Sequence, residues 1–306
     1  MINGLLSTNI VIISHGIHNQ VARQITLDFK ADWIAHLKNE LQSIPYPIQE
    51  IRDNDIPLCY FNLRRRLVNP TPRLVLKSKE FTCPQNLITG LSRLEDKIIH
   101  GEILWPHLSR SLNQPSFNDG MLNHWGIHHL HLGCSVDKDG FIERSDQLLF
   151  IRFDETTAYL IDIRKHGAWT EQEFLCILHR NWPESLAAFK VKGLTGERLS
   201  DKDIEALRKN NGNVIYDIDG TPYLGMGGGV VASGTAIDVW KQIDYHLIRL
   251  EQFEEWCRTN KNILVEEAAK IGRPLPFDFE LKIVLNNGDA IALEPVTGVG
   301  FTLGRI

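Results

Sequence analysis

The sequence predicts an α+β protein in which a central antiparallel β-meander is backed by helices, between a mostly helical N-terminal region and a mixed C-terminal region with a long helix. Three observations predict it. Leu148–Phe153 and Ala158–Ile163 are short apolar runs on either side of Asp154-Glu155-Thr156, and Ile127–Leu132 precedes them across the turn signal Asp137-Lys138-Asp139-Gly140. Successive strands joined by short turns make a meander. The three-and-four spacing of apolar residues that marks helices recurs on both sides of this section, and it is sustained longest from Ala236 to Arg258.

In chain order, Asn9–Ser14 reads as a short strand ending at His15-Gly16. Strand-then-His-Gly resembles the oxyanion strand of α/β-hydrolases, but the chain has no G-x-S-x-G nucleophile turn. Val21–Leu41 has helical spacing and is stopped by Pro45 and Pro47. Leu58–Leu63 and Arg73–Phe81 read as extended, Leu87–Ile99 as a helix and Trp105–Leu112 as a shorter one. Asn113-Gln114-Pro115-Ser116 marks one boundary, and with a second after residue 185 the chain divides into residues 1–116, 117–185 and 186–306. After the meander a helix is capped by Thr170 and stopped by Pro183. Ser200–Lys209 has a capping-box start, and hairpins turn at Asp219-Gly220 and at Asn286-Asn287-Gly288. The two D-x-D-G sequences lack the later glycine and glutamate of a calcium loop and read as turns. Gly225–Gly229 precedes the long helix without the spacing of a phosphate-binding motif, which favours a flexible or tightly packed loop.

A chain of 306 residues buries a substantial core, and a net charge of −5 leaves nucleic-acid binding to a local patch. The five cysteines form no C-x-x-C pair and read as reduced thiols in a cytoplasmic protein. No stretch reaches the roughly 20 apolar residues that span a bilayer. The densest basic segment holds Arg64, Arg65, Arg66, Arg73 and Lys77, with Lys79. Clustered arginines near Tyr60 and Phe61 suit a phosphate backbone, although a solvated charged connection has the same composition.

Chemistry concentrates at His124-Trp125-Gly126-Ile127-His128-His129-Leu130-His131-Leu132-Gly133, with four of the twelve histidines in ten residues. Strand alternation places His129 and His131 on one face, with His124 just before the strand. Zinc is one expectation, with His124, His129 and His131 as ligands, although H-E-x-x-H is absent. Metal-free proton transfer is the other: His129 or His131 takes the proton of an RNA 2′-hydroxyl, and the other, or His166, protonates the leaving oxygen. Arg152 on the neighbouring strand steadies the phosphate if the register puts it on the same face. Trp125 and Trp169 are placed to stack a base.

Three antiparallel strands followed by a helix, with Arg164-Lys165-His166-Gly167 closing the third strand, resemble the sheet core of the barnase–EndoU–colicin–RelE group of ribonucleases. The resemblance covers about residues 117–183. It implies a sheet face whose histidines and cations cleave RNA without metal. The expectation is a metal-independent endoribonuclease without cofactor, catalysed by His129, His131, His166 and Arg152, with RNA held by Arg64, Arg65, Arg66, Arg73, Lys77, Trp125 and Trp169. It suits a toxin or antiviral effector controlled by an inhibitor protein. Two alternatives use the same residues differently: a zinc-dependent hydrolase, and a non-catalytic protein that self-associates through the 236–258 helix.

Overall fold

The computed structural model describes residues 23–46, 48–195 and 198–306. In chain order its elements are β1 (Ile25–Leu27), α1 (Phe29–Gln42), α2 (Ile56–Arg66), β2 (Leu74–Lys77), α3 (Ile88–His100), α4 (Gly120–Trp125), β3 (Ile127–His131), β4 (Gln147–Phe153), β5 (Thr157–Lys165), α5 (Glu173–Asn181), α6 (Asp201–Lys209), β6 (Tyr216–Ile218), β7 (Thr221–Tyr223), α7 (Ile237–Thr259), α8 (Lys261–Lys270), β8 (Phe279–Asn286), β9 (Asp289–Glu294) and β10 (Val299–Arg305). Helices and strands are interspersed, as an α+β chain requires. The expected strand at Asn9–Ser14 and the start of the expected helix at Val21 lie outside the described residues. None of the described helices is long and apolar enough to cross a membrane.

The chain forms two compact units, and the division falls within α7. Neither expected boundary, at 116 or at 185, is a unit boundary. At 113–117 the reason is local: the buried Asn62 amide of α2 donates to the carbonyls of Pro115 (2.7 Å) and Phe117 (2.8 Å) and ties the loop down.

The smaller unit, residues 23–28 with Phe253–Arg305, holds the sheet β1-β8-β9-β10. Ile25–Leu27, expected as helix, is instead a strand paired in parallel with Phe279–Leu281 of β8. Pairing with a strand some 250 positions away overrides the local pattern. The β8–β9 hairpin turns at Asn287 (φ 51°) and Gly288 (φ 84°), the left-handed pair that a two-residue hairpin turn needs.

The larger unit, Phe29–Gln252, is organised on the sheet β2-β5-β4-β3. The meander β3-β4-β5 is antiparallel throughout, and β2 adds to β5 in parallel. One sheet face is buried under α5, where Phe150 stacks on Phe174 with centroids 4.4 Å apart and Leu148, Ile161, Ile177 and Leu178 complete the core. On the other face Leu130, Leu149, Ile151 and Leu160 are fully buried. Both faces of the central strands are largely apolar, so their sequences read as apolar runs interrupted only by the buried Arg152 and Asp162.

Two further expectations are corrected. Leu58–Leu63 is not extended but lies in α2, whose buried positions Ile56, Cys59, Leu63 and Arg66 follow helical spacing and whose first turn holds Pro57. Trp105–Leu112 is not one helix: Trp105–His107 and Arg110–Asn113 are separate 3-10 turns.

A tight crossing sets α3 against the end of β3. A methyl group at Gly90 would lie 1.8 Å from the Leu132 carbonyl oxygen, so only glycine permits this approach. Gly90→Ala is expected to destabilise the larger unit by about 2 kcal/mol through overpacking. A thermal melt with an unchanged midpoint would contradict the crossing.

Candidate active site

The site begins at α4. Asp119 caps this helix: its Oδ1 accepts the backbone N–H groups of Met121 (3.1 Å) and Leu122 (3.0 Å). The helix ends at Gly126, whose left-handed φ of 67° turns the chain straight into β3. This short turn brings the other carboxylate oxygen, Oδ2, to 3.8 Å from Nδ1 of His129. One carboxylate therefore starts the helix and places its charge beside the imidazole that follows it, at a distance longer than a hydrogen bond.

The glycine-rich loop supports α4 and is packed, not open. Gly227 N donates to His124 O (3.1 Å) and Gly229 N to Asn123 O (2.9 Å), which satisfies carbonyls at the helix end. A methyl at Gly227 would lie 2.1 Å from Leu122 O. These amide groups face helix carbonyls and leave no cradle for phosphate.

Beside β3, the outer strand of its sheet, opens a cleft of about 620 Å³ lined by His129, Arg144, His166, Trp169, Arg208 and Lys209, together with Asp119. His166 follows the end of β5, pinned by its backbone N–H to Asp146 O (3.0 Å), and Gly167 (φ 109°) redirects the chain toward Trp169. The Trp169 indole contacts both imidazoles, with centroids 4.7 Å from His129 and 4.9 Å from His166. Partial desolvation against the cleft wall, the Arg144 charge and His129 together hold His166 below the usual histidine pKa, so its neutral form prevails at pH 7.

Three cations edge the cleft. Arg208 and Lys209 end α6, which starts in the expected capping box of Ser200 and Asp203. Arg208 is fixed by a bond from Nη1 to the Trp169 carbonyl and by stacking 3.8 Å over Trp125. Burial pushes its pKa down to about 10, against Tyr216 and Asp119, which leaves it charged at neutral pH. Arg144 and Lys209 are exposed at the rim.

Of the residues singled out from sequence, His129, His166 and Trp169 meet in this cleft. The rest are elsewhere. His131 shares the sheet face of His129 but is 3% exposed, accepts a bond from Ser145 N (3.4 Å) and is pushed down to about 4 by burial and neighbouring cations. It is a packed neutral residue. Arg152 lies opposite Ile127, so the register does give it the face of His129, yet it is wedged against Tyr159 and Phe189 and does not line the cleft. Trp125 is fully buried beneath Arg208 and has no surface for a base. The expected open histidine face is closed because α5 covers the sheet, and within β3 only His128 and His129 are partly exposed.

The basic segment is not one surface. Arg65 bonds Asn123 Oδ1 (3.2 Å), the Gly227 carbonyl and Asp238 (3.3 Å). Buried Arg66 clamps the carbonyls of Ser111 (3.0 Å) and Gln114 (2.9 Å). Arg73 holds Asp154 O (2.8 Å), and Lys77 pairs with Glu95 (2.7 Å). Arg64 alone of the arginine triplet is exposed. Arg73 and Lys77 also lie by β2, at the opposite edge of the sheet from β3, about 14 Å away.

The zinc ligands do not converge. Among the described residues no group of three or more His, Cys, Asp or Glu side chains is placed to hold a metal. His124 is on α4, 3% exposed and pushed down to about 4 by burial and Arg208.

Sequence reasoning missed Asp119, Arg144, Arg208 and Lys209. Asn118-Asp119-Gly120 before Met121-Leu122 has the form of a helix cap, which was the available signal for Asp119. Nothing local ties α6 to β3. Comparison with protein-family models, curated proteins and solved structures finds no match.

Proposed function

We propose that this protein is a metal-independent endoribonuclease whose reaction centre is the cleft between β3, the end of β5 and α6. The observation that carries the reading is the contact of two imidazoles in different surroundings, His129 and His166, with one indole beside three cations. His166, neutral at pH 7, takes the proton of the ribose 2′-hydroxyl. The 2′-oxygen forms a bond to phosphorus, the bond from phosphorus to the 5′-oxygen breaks, and His129, beside the Asp119 carboxylate, protonates that oxygen. The products are a 2′,3′-cyclic phosphate and a 5′-hydroxyl. Arg144 and Lys209 meet the phosphate from the rim, and Arg208 adds a fixed charge behind the wall. Trp169 offers a face for a base. The element order β3-β4-β5-α5 suits the resemblance to the barnase–EndoU–colicin–RelE group, with the reaction moved from the sheet face to its edge. We place the activity in the cytoplasm, where the free cysteines stay reduced.

The test compares an RNA with its all-2′-deoxy counterpart. The RNA is expected to be cut to cyclic-phosphate ends while the deoxy strand survives. Cleavage of both strands would rule out the 2′-hydroxyl as nucleophile. A second reading is self-association through α7, favoured by Trp240, Tyr245 and Ile248, which are 38%, 50% and 53% exposed.

A further inference from the structure

A second cleft of about 570 Å³ adjoins the first, and the two share one lining residue, Arg144. Its position is built, because the segment that follows it is pinned on two sides. Ser145 Oγ accepts Leu132 N (3.2 Å) and donates to Gln147 O (2.6 Å), while Ser145 N donates to His131 Nδ1 (3.4 Å). The carbonyl of Asp146 accepts His166 N (3.0 Å). The backbone of Arg144 is thus held beside His166, and its side chain is exposed between the clefts. Lys165 lines the second cleft and His166 the first, so adjacent residues at the end of β5 face the two spaces.

The two linings differ in kind. The first cleft carries Trp169, a stacking surface that accepts any base. The second has no aromatic side chain; it presents Asn86, Gln147, Glu143 and Asp146, which are amides and carboxylates. Carboxylate and amide oxygens accept hydrogen bonds from bases, to which cytosine, adenine and guanine offer the two N–H donors of an exocyclic amino group and uracil only its single ring N3–H.

Resting on the ribonuclease reading, we infer that the second cleft binds the neighbouring nucleotide of a single-stranded RNA, with the scissile phosphate at Arg144, and that it sets the cut-site preference by selecting a base with an exocyclic amino group. The substrate is then a polymer spanning both clefts, and a lone nucleotide fills half the site.

The test uses oligonucleotides with one ribose in an otherwise 2′-deoxy strand and each base in turn on either side of it. The full-length protein is expected to discriminate against uracil on one side by about tenfold or more. A variant that removes all four acceptor side chains, Asn86→Ala, Glu143→Ala, Asp146→Ala and Gln147→Ala, is expected to flatten that preference while still cutting the strand. Cleavage without preference, or with a preference that the variant keeps, overturns the second site and leaves the ribonuclease reading standing. Absence of cleavage of every strand overturns both. Binding of uncleavable all-deoxy dinucleotides supplies a second readout: affinity above that of the mononucleotide is expected, and equal affinity contradicts the inference.

Discussion

Acidification from pH 7 to pH 4 is expected to unfold the larger unit cooperatively, with a midpoint near pH 5. Four histidines carry the effect. His107, His124 and His131 are 2–3% exposed, and the ring nitrogens of His128 are buried. Burial is the largest cause in each case and pushes all four down to about 4. In the unfolded chain they titrate near 6.5. Between these values the unfolded state binds protons that the folded state refuses, so the stability they allow is complete above pH 6.5 and is lost as pH falls toward 4. Each unit of depression corresponds to about 1.4 kcal/mol lost when the group is protonated, so charging the four together removes a large part of the roughly 5–15 kcal/mol stability of a domain. Tryptophan fluorescence and near-ultraviolet circular dichroism would follow the transition. Native spectra at pH 4 would contradict the burial of this group.

Replacing either cleft histidine is expected to abolish most activity without unfolding the protein. His166 is exposed, and His129 is only partly buried where His131 is 3% exposed. General acid and base each contribute about 10²–10⁴ in rate, so His129→Ala and His166→Ala should each reduce kcat by about that factor. The double variant should fall little further, because the two act as one unit. Asp119→Asn keeps an acceptor for the α4 amides and removes the charge beside His129, so it separates the electrostatic role of the carboxylate at His129 from its role as helix cap. His131→Ala, in contrast, is expected to lower stability, since it empties a buried position.

The parts of the fold that could be read from sequence are those with local causes. The meander follows from apolar runs and short turns, and α6 from its capping box. The misread parts depend on distant partners. The buried face of α2 includes Asn62 and Arg66, polar residues stabilised there only by carbonyls of the 111–117 segment. Without those partners the segment looks like a charged connection. The same holds for Ile25–Leu27, which is a strand because β8 is beside it. Histidine density pointed to His129, and the end of β5 pointed to His166. Their meeting over Trp169 depends on Gly167 and on the packing of α6, neither of which leaves a periodic trace.

The measurement that bears most directly on the cleft as a reaction centre is the rate at which purified protein cleaves a labelled, structured RNA in excess EDTA, beside the His129→Ala, His166→Ala double variant. Cleavage that persists in EDTA and disappears in a folded double variant is the predicted result. Cleavage that EDTA abolishes, or that the double variant retains at the wild-type rate, would contradict histidine acid–base chemistry at this site.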